Sequence, residues 1–206
     1  MIKNLFITLE GVEGVGKSTN LGFISSYVRE SGKEVLTTRE PGGTAIAEKI
    51  RGLLLNHDEE ALTADAELLL MFAARSQHLE HVIKPALAAG QWVVCDRFTD
   101  ATFAYQGGGR NSPMKKIAWL ENMVQKGLSP DLTILLDLPV EVGLKRAASR
   151  SEPDRFEVEK KLFFERVRAT YLERAKADKN RFCMVDAMQD LSTVQRQIVK
   201  HLEGLL

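Results

Sequence analysis

The chain has 206 residues, 44% of them hydrophobic and 27% charged, which fits one domain over 1–206, since chains divide mostly beyond about 250 residues. Lys plus Arg and Asp plus Glu balance at 28 each, for a formal net charge of zero. That balance argues against a non-specific nucleic-acid binder, which carries a basic excess, and the ordinary apolar fraction excludes disorder. No apolar run approaches the ~20 residues that span a bilayer. Cys95 and Cys183 lie far apart, each in an apolar run, without a partner at ligand spacing. They read as reduced core thiols, and the chain as cytoplasmic. The N-terminus runs straight into a strand pattern without a cleavable leader.

In chain order, residues 5–9 predict a strand, 17–31 a helix ended by Gly32, and 34–37 a second strand. A helical stretch over 44–55 leads to a long helix over 64–89, with Pro85 near its end and Gly90 at its C-cap. Strands follow at 92–95, at 132–136 between Pro130 and Pro139, and at 181–185, before a closing helix over 194–206. Several of these strand runs are apolar without period-two alternation, as in strands buried on both faces. Strands alternating with helices predict right-handed crossovers and an α/β fold: a five-stranded parallel sheet with helices on both faces.

Directly after the first strand comes Gly11-Val12-Glu13-Gly14-Val15-Gly16-Lys17-Ser18, followed by Thr19, which matches G-x-x-x-x-G-K-[ST]. Glycines let the backbone wrap phosphate oxygens with its N–H groups turned inward, and the helix beginning at Lys17 offers its positive end to the same anion. Lys17 suits the β/γ-phosphates of a nucleotide, and the Ser18 hydroxyl suits Mg²⁺. The guanine-reading Asn-Lys-x-Asp and an Asp-x-x-Gly are both absent, and a motor needs more chain, so the loop points to a small kinase of the P-loop NTPase fold.

The acceptor side is marked by Asp96-Arg97 at the end of the third strand, where parallel sheets bind ligands. Asp96 is expected to face the Mg²⁺ region and Arg97 a phosphate. Thr38-Arg39-Glu40-Pro41-Gly42-Gly43-Thr44 forms a rigid loop after the second strand, with Arg51 two helical turns beyond. Met71, Phe72 and Arg75 share a face of the long helix. An aromatic beside an arginine is what a planar base needs, although Leu68-Leu-Leu-Met-Phe72 also reads as plain core. His78 and His81 read as surface or dimer-contact residues.

Together these strings, with Phe72-Ala-Ala-Arg75, Asp96-Arg97-Phe98 and Ala104-Tyr-Gln-Gly-Gly-Gly-Arg110, make the chain resemble the thymidylate kinase family over essentially its whole length. The resemblance implies phosphorylation of dTMP to dTDP with ATP and Mg²⁺, with Glu13 near the sugar and phosphates of dTMP. It implies that Arg97 and Arg51 clamp the dTMP phosphate and that Arg75 donates to a thymine carbonyl. An aromatic side chain stacks on the ring: Phe72 here, because the family's usual place for it is occupied by Met71, which offers a polarizable sulfur instead. Thr102, Tyr105 and Gln106 line the sugar and base pocket, and the bulk of Tyr105 disfavours a ribose 2′-hydroxyl.

The segment 143–157 carries Arg146, Arg150 and Arg155. Alone it reads as an amphipathic helix with a basic face; beside the family resemblance it reads as a lid. Some thymidylate kinases place a catalytic arginine in the phosphate loop. Gly14 occupies that place here, so the three lid arginines are the candidates, as in the bacterial form. Phosphoryl transfer needs positive charge around the moving group rather than covalent chemistry. The resemblance also implies a homodimer, and the helix over 64–89 is too apolar around its circumference for one solvated face. A kinase for another monophosphate and a non-catalytic ATP switch remain the alternatives.

Overall fold

Each apolar run becomes a strand one residue or so beyond its expected start: β1 Phe6–Glu10, β2 Val35–Arg39, β3 Trp92–Asp96, β4 Leu132–Asp137 and β5 Phe182–Asp186. The computed structural model describes residues 4–56, 60–148, 155–157 and 159–206. The five strands form one parallel sheet in the order β2-β3-β1-β4-β5. β1 is buried along its whole length, and its side chains alternate between two helical layers. Ile7 and Leu9 pack with Ile24 and Val28 on one side; Phe6 packs with Leu79, Ile83 and Ala86 on the other.

The helices are α1 Lys17–Glu30, α2 Ala45–Leu55, α3 Ala64–His78, α4 Lys84–Ala88, α5 Thr99–Thr102, α6 Met114–Gln125, α7 Val140–Ala147, α8 Lys161–Ala177 and α9 Leu191–Leu202. The long helix expected over 64–89 is interrupted by a π turn at Leu79–Ile83. The cause is Pro85, which lacks an N–H and crowds the carbonyl four residues back, so the ladder shifts just before it. A second π segment, Phe103–Gly109, continues α5. The closing helix starts three residues earlier than expected, at Leu191, because the Asp190 side chain accepts from the Thr193 N–H at 3.0 Å as an N-cap. Cys95 and Cys183 are free and buried, and burial pushes the Cys183 thiol up to about 12. Among the described residues no helix is long and apolar enough to cross a membrane.

The topology places the site. β1 pairs with β3 on one side and β4 on the other, so the chain leaves the sheet in opposite directions from the two neighbours of β1. Parallel sheets bind ligands at such a switch point, beyond the strand C-termini. Glu10, Arg39, Asp96 and Asp137 all end their strands at that edge.

Candidate active site

The phosphate loop folds as it does because its glycines and valines divide the work. Gly11, Gly14 and Gly16 take φ of 142°, 73° and 91°, which side chains rarely adopt. Val12 and Val15 are buried in the core and anchor the loop from beneath. Lys17, also buried, curls back so that its Nζ donates to Gly11 O at 3.2 Å and Val12 O at 2.9 Å, 3.9 Å from Glu13 Oε2. Burial first, and Arg97 second, lower its pKa. Gly14 faces Gly143 of α7 backbone to backbone: a Cβ on either would strike the other's segment. No side chain fits at position 14, which is why this loop carries no arginine there.

Glu13, Gly14, Gly16, Lys17 and Ser18 line a cleft of about 280 Å³, faced by Pro41, Arg51, Met71, Arg75, Asp96, Arg97, Thr102, Tyr105 and Gln106. Thus most of the expected site residues meet in one cavity. Gly11, Val12 and Val15 support the loop from behind, and Thr19 is exposed on α1 without lining the cleft. Arg51 donates to Pro41 O at 2.9 Å, which ties α2 to the loop after β2.

Arg97 stands at the centre of the charge. Its φ is 66°, and its guanidinium donates to Gly11 O at 3.1 Å and to Glu13 Oε1, 4.7 Å above the Tyr105 ring. The Tyr105 hydroxyl donates to the same Glu13 oxygen at 3.0 Å. Burial alone would raise the Glu13 carboxyl, but Arg97 and Lys17 outweigh it and hold it at about 2. The result is one ionised carboxylate flanked by two cations, all facing the place where phosphates fit.

Arg75 is held more rigidly. Its Nε donates to Glu40 Oε2 at 2.7 Å and its Nη2 to Thr102 Oγ1 at 2.9 Å. The guanidinium lies 4.8 Å from the Phe72 ring and 5.1 Å from the Phe98 ring. Its Nη1 is buried without a partner, so this edge of a cleft-lining residue keeps one donor for a ligand. Asp96 Oδ1 is likewise buried and unpartnered beside the cleft that Ser18 lines. An unpartnered carboxylate oxygen and a hydroxyl are ligand types that a hard cation takes.

Four expectations change. Phe72 does not reach the cleft; it is buried with Leu68, Phe103, Ile117 and Leu120, and Met71 lines the cavity instead. One residue is 100° of helix, and the aromatic cluster supplied by Phe103 and α6 draws Phe72 away. Arg155 does not line the cleft either. It donates to Leu54 O at 2.8 Å and Glu67 Oε2 at 2.6 Å, stacked 4.6 Å from the Phe156 ring. Arg146 donates to Ala187 O at 3.0 Å, after β5 and outside the cleft lining. His78 is fully buried rather than at a surface, while His81 is exposed. Arg150 lies outside the described residues.

Sequence reading missed Glu67. It is buried on α3, accepts from Gln106 Nε2 at 2.9 Å and Arg110 Nε at 3.4 Å, and binds Arg155. One carboxylate thereby joins α3, the π segment and the 155–157 turn whose Phe156 and Glu157 close one wall of the cleft. A carboxylate on the apolar stretch 66–72 was the available signal.

Comparison with known proteins places the geometry. A family model described as thymidylate kinase matches residues 9–198. A thymidylate kinase of Pseudomonas savastanoi pv. phaseolicola is 59% identical over 202 residues, spanning 98% of this chain and 96% of its own. One from Pseudomonas putida is 58% identical over 205 residues, spanning 100% and 98%. The crystal structure of thymidylate kinase from Ehrlichia chaffeensis matches with a TM-score of 0.80 at 31% identity, over 97% of this chain and 98% of that one. The parallel sheet with the glycine-rich loop at its centre is a P-loop NTPase fold.

Proposed function

The chain belongs to the thymidylate kinase family, and we propose that its cleft transfers the γ-phosphoryl group of ATP directly to the phosphate of dTMP. The observation that carries this reading is that the phosphate loop, Arg97 and Arg75, whose Nη1 has no partner in the protein, line the same cavity. In the reaction a dTMP phosphate oxygen bonds to the γ-phosphorus as the bond to the β,γ-bridging oxygen breaks, and ADP leaves with that oxygen. The attacking oxygen is already anionic, so no general base is required and no histidine has a chemical role.

The loop N–H groups and Lys17 would cradle the β- and γ-phosphates. Arg97 and Arg51 would hold the acceptor phosphate, Arg97 exchanging its contact with Glu13 for the incoming oxygens. Met71 would pack against the thymine ring and Arg75 Nη1 would donate to a base carbonyl. The Tyr105 ring, bonded to Glu13, would crowd a ribose 2′-hydroxyl. Ser18 and Asp96 would hold Mg²⁺, which when bound neutralises charge on the β- and γ-oxygens. Arg146, on exchanging its contact with Ala187 O, and Arg150 would supply positive charge to the moving group, with the segment of about 143–157 acting as a lid; Arg155 ties the 155–157 turn to Glu67.

A homodimer is part of the proposal. Ile46 and Leu53 on α2, Leu69 on α3, and Trp119 and Met123 on α6 are 50–64% exposed, and α3 packs against both α2 and α6. Such a run of large apolar side chains on adjacent helices suits a self-complementary interface. A monomer by light scattering at micromolar concentration would remove it.

The activity is tested by coupled ADP release with Mg-ATP against dTMP, dUMP, dCMP, dGMP, UMP and AMP. Fast turnover on dTMP, weaker on dUMP and negligible on the rest, is expected. Turnover led by another monophosphate would overturn the base pocket but keep the phosphate chemistry. No turnover with ATP still bound would favour a switch.

A further inference from the structure

We propose that His78 is a positioning residue for base selection, locking Glu40 so that Arg75 presents a single donor to the pyrimidine. The inference rests on the reading that Arg75 contacts the base. His78 closes the last turn of α3 and is fully buried. Its Nδ1 lies 2.9 Å from Glu40 Oε1 and its Nε2 lies 2.7 Å from Thr38 Oγ1. A carboxylate oxygen only accepts, so Nδ1–H donates to Glu40. Gly43 lies so close to the imidazole that any Cβ there would overlap Cδ2 and Nε2. Thr38 at the end of β2 and Glu40 and Gly43 of the loop after it are therefore moulded on this ring.

The consequence for Arg75 follows from the shape of a guanidinium. Carboxylates prefer to grip arginine through two parallel bonds, and the edge formed by Nε and Nη2 is the natural partner of Glu40. That grip does not form: Oε1 takes the His78 Nδ1–H, which turns the carboxylate so that only Oε2 meets the arginine, at Nε. Nη2 goes instead to Thr102 Oγ1 at 2.9 Å, and the plane so defined leaves Nη1 buried without a partner on a residue that lines the cleft. Without the imidazole donor, Oε1 is free to swing onto Nη2 and displace Thr102. The plane would then turn, and Nη1 would leave the position from which it reads a carbonyl. The histidine touches neither substrate nor phosphate, so its effect should fall on recognition rather than on transfer.

Two substitutions separate its arms. In His78→Asn the side-chain amide takes the place of Nδ1 and keeps the Glu40 contact; in His78→Gln it takes the place of Nε2 and keeps only Thr38. Steady-state kinetics with dTMP and dCMP, whose ring carries an amino group where thymine has a carbonyl, are measured for both, with Arg75→Lys as reference. We expect His78→Gln to raise KM for dTMP on the order of tenfold with kcat little changed, and to lower the dTMP-over-dCMP ratio of kcat/KM similarly. His78→Asn should stay within about twofold of the parent in both. Equal losses in the two variants, or a fall in kcat at unchanged KM, would overturn the proposal. If Arg75→Lys leaves the ratio unchanged, the base contact itself is wrong. If Arg75→Lys lowers it and His78→Gln does not, only the role of His78 fails.

Discussion

Replacing Gly143 by alanine should damage the phosphate loop from outside it. Gly143 sits in α7 with helical geometry, so its own backbone tolerates a side chain. The obstacle is Glu13, whose carbonyl oxygen a Cβ at 143 would meet inside 3.0 Å, with Leu138 Cδ1 at 3.1 Å on the other side. A leucine tip can rotate away, but a backbone carbonyl in the phosphate loop cannot. Either α7 lifts or the loop shifts. Overpacking of this kind costs about 1–3 kcal/mol, and the better helix propensity of alanine offsets about 1 of that. The net loss is then roughly 0–2 kcal/mol, or a Tm lower by at most about 8 °C at this size. Catalysis is the sharper readout, because a displacement near 1 Å in positioning groups costs about 100-fold. Gly22→Ala in α1 is the control: nothing lies within 4 Å of its added carbon, so it should gain about 0.5–1 kcal/mol and keep its kcat. Coupled ADP release and thermal melts of both variants decide. A Gly143→Ala enzyme with kcat and ATP KM equal to those of Gly22→Ala would refute the loop contact.

Three further outcomes are expected. Arg97→Ala should lose about 100- to 1,000-fold in kcat while ATP-analogue binding changes only a few-fold, since Lys17 and the loop remain; unchanged turnover would end its assignment to the acceptor. Glu67→Gln and Arg155→Gln should show a coupling of about 1 kcal/mol or more in a double-mutant cycle of melts, and additive losses would mean that the 155–157 turn is not tethered through this pair. Glu10 is raised by burial, and next by Asp100, from 4.5 to about 8. Over that window the unfolded chain releases a proton that the folded one keeps, so this group's contribution to stability falls as pH rises. Glu10→Gln preserves an acceptor for the Phe98 N–H, which now bonds Glu10 Oε1 at 2.7 Å, and should flatten the decline in Tm between pH 5 and 8; an unaltered slope would place the titration elsewhere.

What was legible in the sequence was whatever the backbone decides locally. The phosphate loop needs glycine at positive φ beside a strand end, and Gly11, Gly14 and Gly16 announce that without help from distant residues. Asp96 and Arg97 were legible for the same reason: a parallel strand must deliver its last residues to the ligand edge. The far wall of the cleft was decided otherwise. Whether Met71 or Phe72 faces the base depends on Phe103, Ile117 and Leu120, which come from a π segment and a helix that no local pattern announces as neighbours of α3. Glu67 looks like a solvated carboxylate until Arg110 and Arg155 reach it from 43 and 88 residues away. Arg155 looks like a catalytic cation until Glu67 claims it.

The pairing of Gly14 with Gly143 joins the two kinds of information. The missing loop arginine was visible in the sequence, but its cause is a backbone contact 129 residues away in the chain, between the loop and α7. That contact leaves no room for a side chain at position 14, so the cations of the cleft, Lys17, Arg51 and Arg97, all stand at other positions. The same close approach that bars an arginine from the loop sets α7 directly on the phosphate loop, so movement of α7 and the shape of the loop cannot be independent.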